Sequence, residues 1–318
     1  MAPTIAPTTP IDAGASPEPD SVDQPARPAP FSPRRFAITA SDRYLGVFKA
    51  FIQRGWEPVK LFCARVDGRM HRTEAVLGLA EERKIDIQLS PMNDASLDGL
   101  RDLGCDLLVV ASYQWRIGDW ASRIPKAINF HPSPLPVGRG PYPLPRAILD
   151  GHVSWGASCH KVSKHFDRGD ILAQRVFELS SDETHESLDL KTQRAMSRLA
   201  HEVASGVDTL WECARPQGEG SYYPFWTENE RTLDFSQPPE RINTMLRAYG
   251  RHECLARVKN NLLHVIQAQA WREPHALPPG ELDHVDGERL VISCTGGFVA
   301  LLEWNLLAPG KARGTAPR

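Results

Sequence analysis

The sequence predicts an α/β protein, with a doubly wound, mainly parallel sheet followed by a smaller β-rich domain. Three observations predict it. From residue 35 to 214, short apolar runs alternate with helix-period segments, and the runs are continuous, as in strands buried on both faces. Residues 215–221 (RPQGEGS) then have the composition of a connection. Beyond them, short strand-like runs are punctuated by Pro278-Pro279-Gly280, Asp286-Gly287 and Gly296-Gly297. Such turn signals suit a small β-barrel.

Residues 36–39 read as the first strand. Ser41 or Asp42 can cap a helix whose Leu45, Phe48, Phe51 and Ile52 share one face and which stops at Gly55. Residues 59–64 are the next strand, and 71–84 a helix with Val76, Leu79 and Ala80 turned inward. A strand over 86–90 and a short helix over 95–104 follow. Residues 106–111 form the most clearly buried strand, and 127–131 another. Residues 154–162 and 170–179 read as two more. The stretch 184–214 is a long helix with Met196, Leu199, Val203, Val207 and Leu210 on one stripe. A second-domain helix is expected over 231–249. The first strand-to-helix turn lacks G-x-G-x-x-G, so a dinucleotide site is not expected.

Composition narrows the function classes. The 318 residues are 41% hydrophobic and 24% charged, ordinary for a globular protein and unlike collagenous or disulfide-dense chains. Apolar runs such as 107–111 reach only five residues, so no membrane span is expected. A net charge of −2 argues against an extended nucleic-acid surface. The six cysteines lie forty or more residues apart without a C-x-x-C pair, which disfavours a zinc site and fits a reducing cytoplasm. Nine of 27 prolines fall within residues 1–34, a segment too poor in apolar side chains to offset its ordering entropy. Arg34-Arg35 resembles a twin-arginine export signal, but Ser41, Asp42, Arg43 and Lys49 interrupt the apolar stretch that should follow. The expected organisation is a disordered tail over 1–34, a catalytic domain over 35–214, a linker over 215–232, a β-rich domain over 233–310, and a second tail over 311–318.

The chemistry concentrates in Asn129-Phe130-His131-Pro132-Ser133-Pro134-Leu135-Pro136 and the Gly138-Arg139-Gly140-Pro141 that follows. Asn129 and His131 stand two apart at a strand end, so their side chains share a side. The carboxyl ends of strands are where open α/β sheets bind ligands. A carboxylate arrives in Asp167-Arg168-Gly169-Asp170. An amide donor, an imidazole and a carboxylate suit a reaction at a carbonyl: the amide steadies an oxyanion, the imidazole moves protons, and the carboxylate sets the imidazole's charge. Taken singly, a strand-end N-x-H pair and a turn Asp are ordinary structural features.

Together they resemble the 10-formyltetrahydrofolate-dependent formyltransferases, which include the methionyl-tRNA, glycinamide ribonucleotide and amino-sugar enzymes. That pattern is N-x-H-x-S-x-L-P, R-G-x-x-P, a Gly-opened strand and D-x-G. It stands here as Asn129, His131, Ser133, Leu135-Pro136, Arg139-Gly140, Pro143, Gly156 and Asp167-Arg168-Gly169. Thr232 to Pro238 (TLDFSQP), Pro279-Gly280 and the Leu301-Leu302 to Pro309-Gly310-Lys311 ending resemble the C-terminal domain of the tRNA-acting branch. The resemblance implies a Rossmann-like catalytic sheet with an OB-like barrel after it.

By this resemblance Asn129, His131 and Asp167 are the catalytic groups, and 10-formyltetrahydrofolate donates the formyl group without a metal. The pterin is expected against Tyr113, Gln114, Trp115, Arg116 and Ile117, and against His165 and Phe166. The acceptor amine is expected at the loop carrying Ser133, Pro134, Arg139 and Gly140. His160, on the strand after Gly156, reads as structural. The start Ile38-Thr39-Ala40-Ser41-Asp42-Arg43 departs from the G-T-P of the tRNA enzymes, and a short 65–72 link replaces their basic insertion. Residues 233–310 carry seven Lys or Arg against nine Asp or Glu, a net of −2. Both departures point to a small amine, of amino-sugar or hydroxylated amino-acid type, rather than tRNA. Methionyl-tRNA formylation, formyltetrahydrofolate hydrolysis and non-catalytic folate binding are the alternatives. No surface stripe marks an oligomer interface.

Overall fold

The sheet that positions the site begins at β1 (Arg35–Thr39), whose Phe36, Ala37 and Ile38 are fully buried. A computed structural model describes residues 34–63 and 72–307. Residues 1–33 of the expected 1–34 tail, the expected 311–318 tail, the Pro309-Gly310-Lys311 ending and most of the 65–72 link lie outside those residues.

After β1, α1 (Leu45–Gln53), β2 (Glu57–Phe62), α2 (Glu74–Glu82), β3 (Asp86–Gln88), α3 (Asp94–Asp102), β4 (Leu107–Val110) and β5 (Lys126–His131) alternate. They are followed by α4 (Leu144–Leu149), β6 (Ser154–Lys161), β7 (Ile171–Glu178) and α5 (His185–Glu212). The seven strands run β3-β2-β1-β4-β5-β6-β7. β1 to β5 are parallel, while β6 and β7 join antiparallel. The tight 162–170 turn between β6 and β7 has no room for the dozen-residue crossover that a parallel partner needs. Strand order reverses between β1 and β4, where doubly wound sheets open a crevice at their carboxyl ends. Thr39 Oγ1 accepts from Ala111 N at 3.0 Å and ties those two ends together.

Helices α1 and α5 cover one face. Their Phe48, Phe51, Met196, Leu199 and Val203 join Phe36, Val109 and Phe130 in the largest core. Helix α3, capped by Asn93 in a reciprocal capping box with Ser96, buries Leu97 and Leu100 in a separate core with Leu108 and Val110. The expected stripe on α5 is observed, and Thr184 caps that helix with Ser187.

Two local expectations are corrected. Ser41 and Asp42 do not cap α1, because Asp42–Tyr44 form a 3-10 turn ahead of it. Asp42 Oδ1 instead accepts from Val76 N at 2.9 Å, in the first turn of α2. The second-domain helix, α6 (Pro239–Glu253), starts eight residues later than the periodicity suggested. Leu233 and Phe235 lie before it, buried against the second core rather than on the helix, and Pro239 sits at its first turn, where proline is favoured.

α6 packs on a five-stranded antiparallel sheet ordered β10-β11-β12-β9-β8, namely Leu282–Asp286, Arg289–Cys294, Gly297–Leu306, Asn261–Arg272 and Leu255–Val258. Ile242, Met245 and Tyr249 of α6 meet Val265, Ile292, Val299 and Leu301 in that core. Among the described residues no helix is long and apolar enough to cross a membrane.

Candidate active site

β5 delivers Asn129 and His131 to its carboxyl end, two residues apart on one side. The turn between β6 and β7 brings Asp167 to meet them. Asn129 Nδ2 lies 3.4 Å from Asp167 Oδ1, and His131 Nδ1 lies 3.4 Å from the same oxygen. Gly140 N donates to the other oxygen, Oδ2, at 2.9 Å. One carboxylate therefore touches the amide, the imidazole and the Pro- and Gly-rich loop.

Each ring has a defined tautomer. His131 Nε2 donates to the Gly138 carbonyl at 2.8 Å, which leaves Nδ1 facing the carboxylate. His160 Nδ1 donates to the Lys161 carbonyl at 2.8 Å, so its Nε2 accepts from Asn129 Nδ2 at 2.9 Å. The latter contact follows from register, since Asn129 and His160 are directly opposed across the β5–β6 pair. His160, read from the sequence as structural, thus orients the amide of Asn129. The antiparallel pairing was the only signal for it, and that pairing is not written in residue spacing.

Burial pushes the His131 imidazolium down, and it outweighs the upward pull of Asp167 and of the Gly138 carbonyl. Burial also raises the Asp167 carboxyl, but the His131 and His160 rings in their protonated forms, together with the Gly140 N–H, outweigh it and hold that carboxyl well below the usual range. The resting pair is a neutral imidazole beside an ionised carboxylate.

The backbone around Asp167 is tightly specified. Asp167 itself is left-handed, with φ of 55°, uncommon for a residue with a side chain. Gly169 packs so closely on β6 that a Cβ there would stand 1.8 Å from the Lys161 carbonyl oxygen. Gly140, with φ of 103°, would put a Cβ 2.2 Å from the Tyr223 carbonyl oxygen. The D-x-G and R-G elements are therefore close-approach requirements.

The expected acceptor loop is held from within. Ser133 Oγ donates to the Val137 carbonyl at 2.8 Å, and Pro134 packs over Gly156. Arg139 is 3% exposed; its Nε donates to Gln217 Oε1 at 3.0 Å and its Nη2 to the Gly218 carbonyl at 2.8 Å. These side chains shape the loop rather than project from it. Gln217 and Ser221, read as connecting residues, reach the site itself: Ser221 Oγ accepts from Gly138 N at 2.8 Å. An aromatic rim stands beside Gly140, with Tyr142 and Phe225 rings 5.8 Å apart and Tyr222 bridged to Arg139.

The two segments expected to bracket a pterin come together at Arg116 and Phe166. The Arg116 guanidinium lies 5.0 Å over the Phe166 ring, and Trp115 meets Tyr113 edge-on at 5.3 Å. Tyr113 OH accepts from Met92 N at 2.6 Å, while Ile117 packs against the α3 core. Gln114, Arg116, His165 and Phe166 are exposed.

Comparison with known proteins follows the same outline. Residues 64–204 match the sequence profile described as formyl transferase, and residues 226–314 that of the formyl transferase C-terminal domain. The chain is 30% identical over 224 residues to a methionyl-tRNA formyltransferase of Thiobacillus denitrificans, covering 68% of this chain and 71% of that one. Its fold is similar to the crystal structure of HypX from Aquifex aeolicus in complex with tetrahydrofolic acid, with a TM-score of 0.59 and 18% identity over 87% of this chain and 45% of that one. This chain thus spans less than half of HypX. It is similar in fold also to an N-formyltransferase from Helicobacter canadensis in complex with folinic acid and dTDP-3-aminofucose, with a TM-score of 0.62 and 14% identity over 85% of this chain and 99% of that one.

Proposed function

The chain belongs to the formyl transferase family, and we propose that it moves a formyl group from 10-formyltetrahydrofolate to the amine of a small acceptor, of amino-sugar or hydroxylated amino-acid type. The observation that carries this reading is the single carboxylate of Asp167 facing both Asn129 Nδ2 and His131 Nδ1 at 3.4 Å.

The donor supplies the one-carbon unit; the chain's residues supply positioning and proton movement. Asn129 has one amide hydrogen committed to His160 and a second held loosely toward Asp167. That second hydrogen is available to the oxygen on which charge develops when the amine attacks. His131, neutral at rest, takes at Nδ1 the proton that the amine loses, and Asp167 meets the resulting positive charge directly. The ring then gives that proton to the donor nitrogen as its bond to the formyl carbon breaks, which releases tetrahydrofolate and returns His131 to its neutral form. The Gly140 N–H keeps the carboxylate turned toward the imidazole throughout.

The exposed Phe166 ring and the Arg116 guanidinium above it offer a planar, polarisable surface that suits a pterin. The aromatic rim of Tyr142, Tyr222 and Phe225 lies beside Gly140, where an acceptor would reach His131. The second domain's net charge of −2 over residues 233–310 supports a small acceptor over a polyanion. Six unpaired thiols suit a cytoplasmic enzyme. A second reading, formylation of methionyl-tRNA, is favoured by the names of the sequence relatives and by the match to both family profiles.

Incubation with 10-formyltetrahydrofolate and a panel of amines, aminoacylated tRNA included, tests the proposal by following tetrahydrofolate release. Release that depends on a small amine supports it. Release only with methionyl-tRNA establishes the second reading, and release with no acceptor establishes a hydrolase.

A further inference from the structure

The connecting segment after α5 does more than join two sheets. Arg215 pairs with Ile171 in both directions, at 2.9 and 2.8 Å, which brings the segment alongside the Asp167 turn. Gln217 then spends its whole amide there. Nε2 donates to the Asp167 carbonyl at 2.9 Å and to the Gly169 carbonyl at 2.7 Å, while Oε1 accepts from Arg139 Nε. The two carbonyls flank Arg168, so they fix the stretch of backbone that carries the carboxylate. Arg139 precedes Gly140, whose N–H holds Asp167 Oδ2. One side chain thus connects both anchors of the carboxylate, through its peptide and through its oxygen.

We propose that Gln217 is a positioning residue of this site, holding the left-handed Asp167 peptide so that the carboxylate faces His131. The inference rests on the formyl-transfer reading for its catalytic meaning, though not for its geometry. A left-handed non-glycine residue costs about 1–3 kcal/mol and persists only where its surroundings over-determine it. Glutamine supplies two donors and one acceptor without charge, matching two carbonyls and a guanidinium. Leucine has the volume but none of these groups. Glutamate keeps the acceptor for Arg139 and turns two attractions into repulsions.

The test is the titration of the His131 ring, followed by NMR on histidine-labelled full-length protein. The groups that face it are Asp167, His160 and the Gly138 carbonyl. In Gln217→Leu the His131 midpoint is expected to fall, because the carboxylate that raises it has moved. In a formyl-transfer assay kcat should drop ~10–100-fold, the scale of a misplaced catalytic group, with KM for the folate held within about twofold. In an Asp167→Asn background the Gln217→Leu change should leave the His131 midpoint where Asp167→Asn alone puts it. A wild-type midpoint in Gln217→Leu, or an equal shift in the Asp167→Asn background, overturns the proposal. Should the leucine variant not fold, Gln217→Met, uncharged and of similar length, must lower the midpoint, and an unchanged midpoint there overturns it equally. The titration needs no turnover, so a wild-type chain that releases no tetrahydrofolate with any amine sinks the formyl-transfer reading and leaves this result standing.

Discussion

His131 Nδ1 lies 3.4 Å from Asp167 Oδ1 while its Nε2 is taken up by the Gly138 carbonyl. The ring therefore has one nitrogen for proton exchange, and that nitrogen faces an anion. Asp167→Asn keeps the size of the side chain and removes the charge. We expect turnover of 10-formyltetrahydrofolate to fall ~10²–10⁴-fold, with the melting temperature little changed. Asn129→Ala should cost a comparable ~10²–10³-fold through its lost oxyanion donor. Wild-type-like tetrahydrofolate release in either variant would remove these residues from the chemistry.

The acid limb of the rate profile should reflect the buried ring. A neutral His131 is the proton acceptor, and burial lowers its imidazolium from the ordinary histidine value. The kcat/KM against pH is therefore expected to hold steady below the midpoint of a free imidazole and to decline only at more acid pH. A decline centred at or above the free-imidazole value would contradict this.

Stability should depend on pH through a different histidine. His185, buried at the first turn of α5, is pushed down to about 4 by burial and by Arg43. Its folded midpoint lies below its unfolded one, so the unfolded chain binds the extra proton. The stabilisation is complete above about pH 6.5 and is lost as pH falls toward 4, by about 3 kcal/mol. Urea titrations across that range should show a shallower pH dependence in His185→Gln. An identical slope would assign the acid sensitivity elsewhere.

Gly169→Ala asks whether the close approach beneath the Asp167 turn is required. A Cβ 1.8 Å from the Lys161 carbonyl oxygen forces β6 and the turn apart. We expect about 1–3 kcal/mol of destabilisation together with loss of turnover, since the displaced turn carries the carboxylate. Thermal melting and the release assay check both halves, and a fully active variant of normal stability would disprove the packing argument.

Arg116→Ala separates binding from chemistry. Removing the guanidinium from the Phe166 face should raise KM for the folate severalfold, in line with ~0.5–1 kcal/mol for an exposed cation–π contact, and leave kcat nearly unchanged. A fall in kcat at constant KM would place Arg116 outside the donor's site.

Much of this was legible in the chain. Continuous apolar runs such as residues 107–110 are buried strands, and the stripe from Met196 to Val207 faces the core, because burial imposes a period that residue types reveal. Helix starts were less legible. Asp42 looks like a cap for the nearest helix, yet its carboxylate serves α2 across a loop. Leu233 and Phe235 suit a helix face, yet they fill the core ahead of Pro239. Polar and apolar side chains find partners in space, and local periodicity does not encode which.

The candidate site divides in the same way. The sequence by itself determined that an amide and an imidazole share one side of a strand end, because side chains alternate along any extended chain. It also placed a carboxylate and the close-packed Gly169 in one short turn. Only the tertiary structure decided that His160 opposes Asn129 and that Gln217 grips the peptide of Asp167 from fifty residues away. The first depends on strand register and the second on backbone carbonyls, which every residue carries and no pattern of residue types distinguishes.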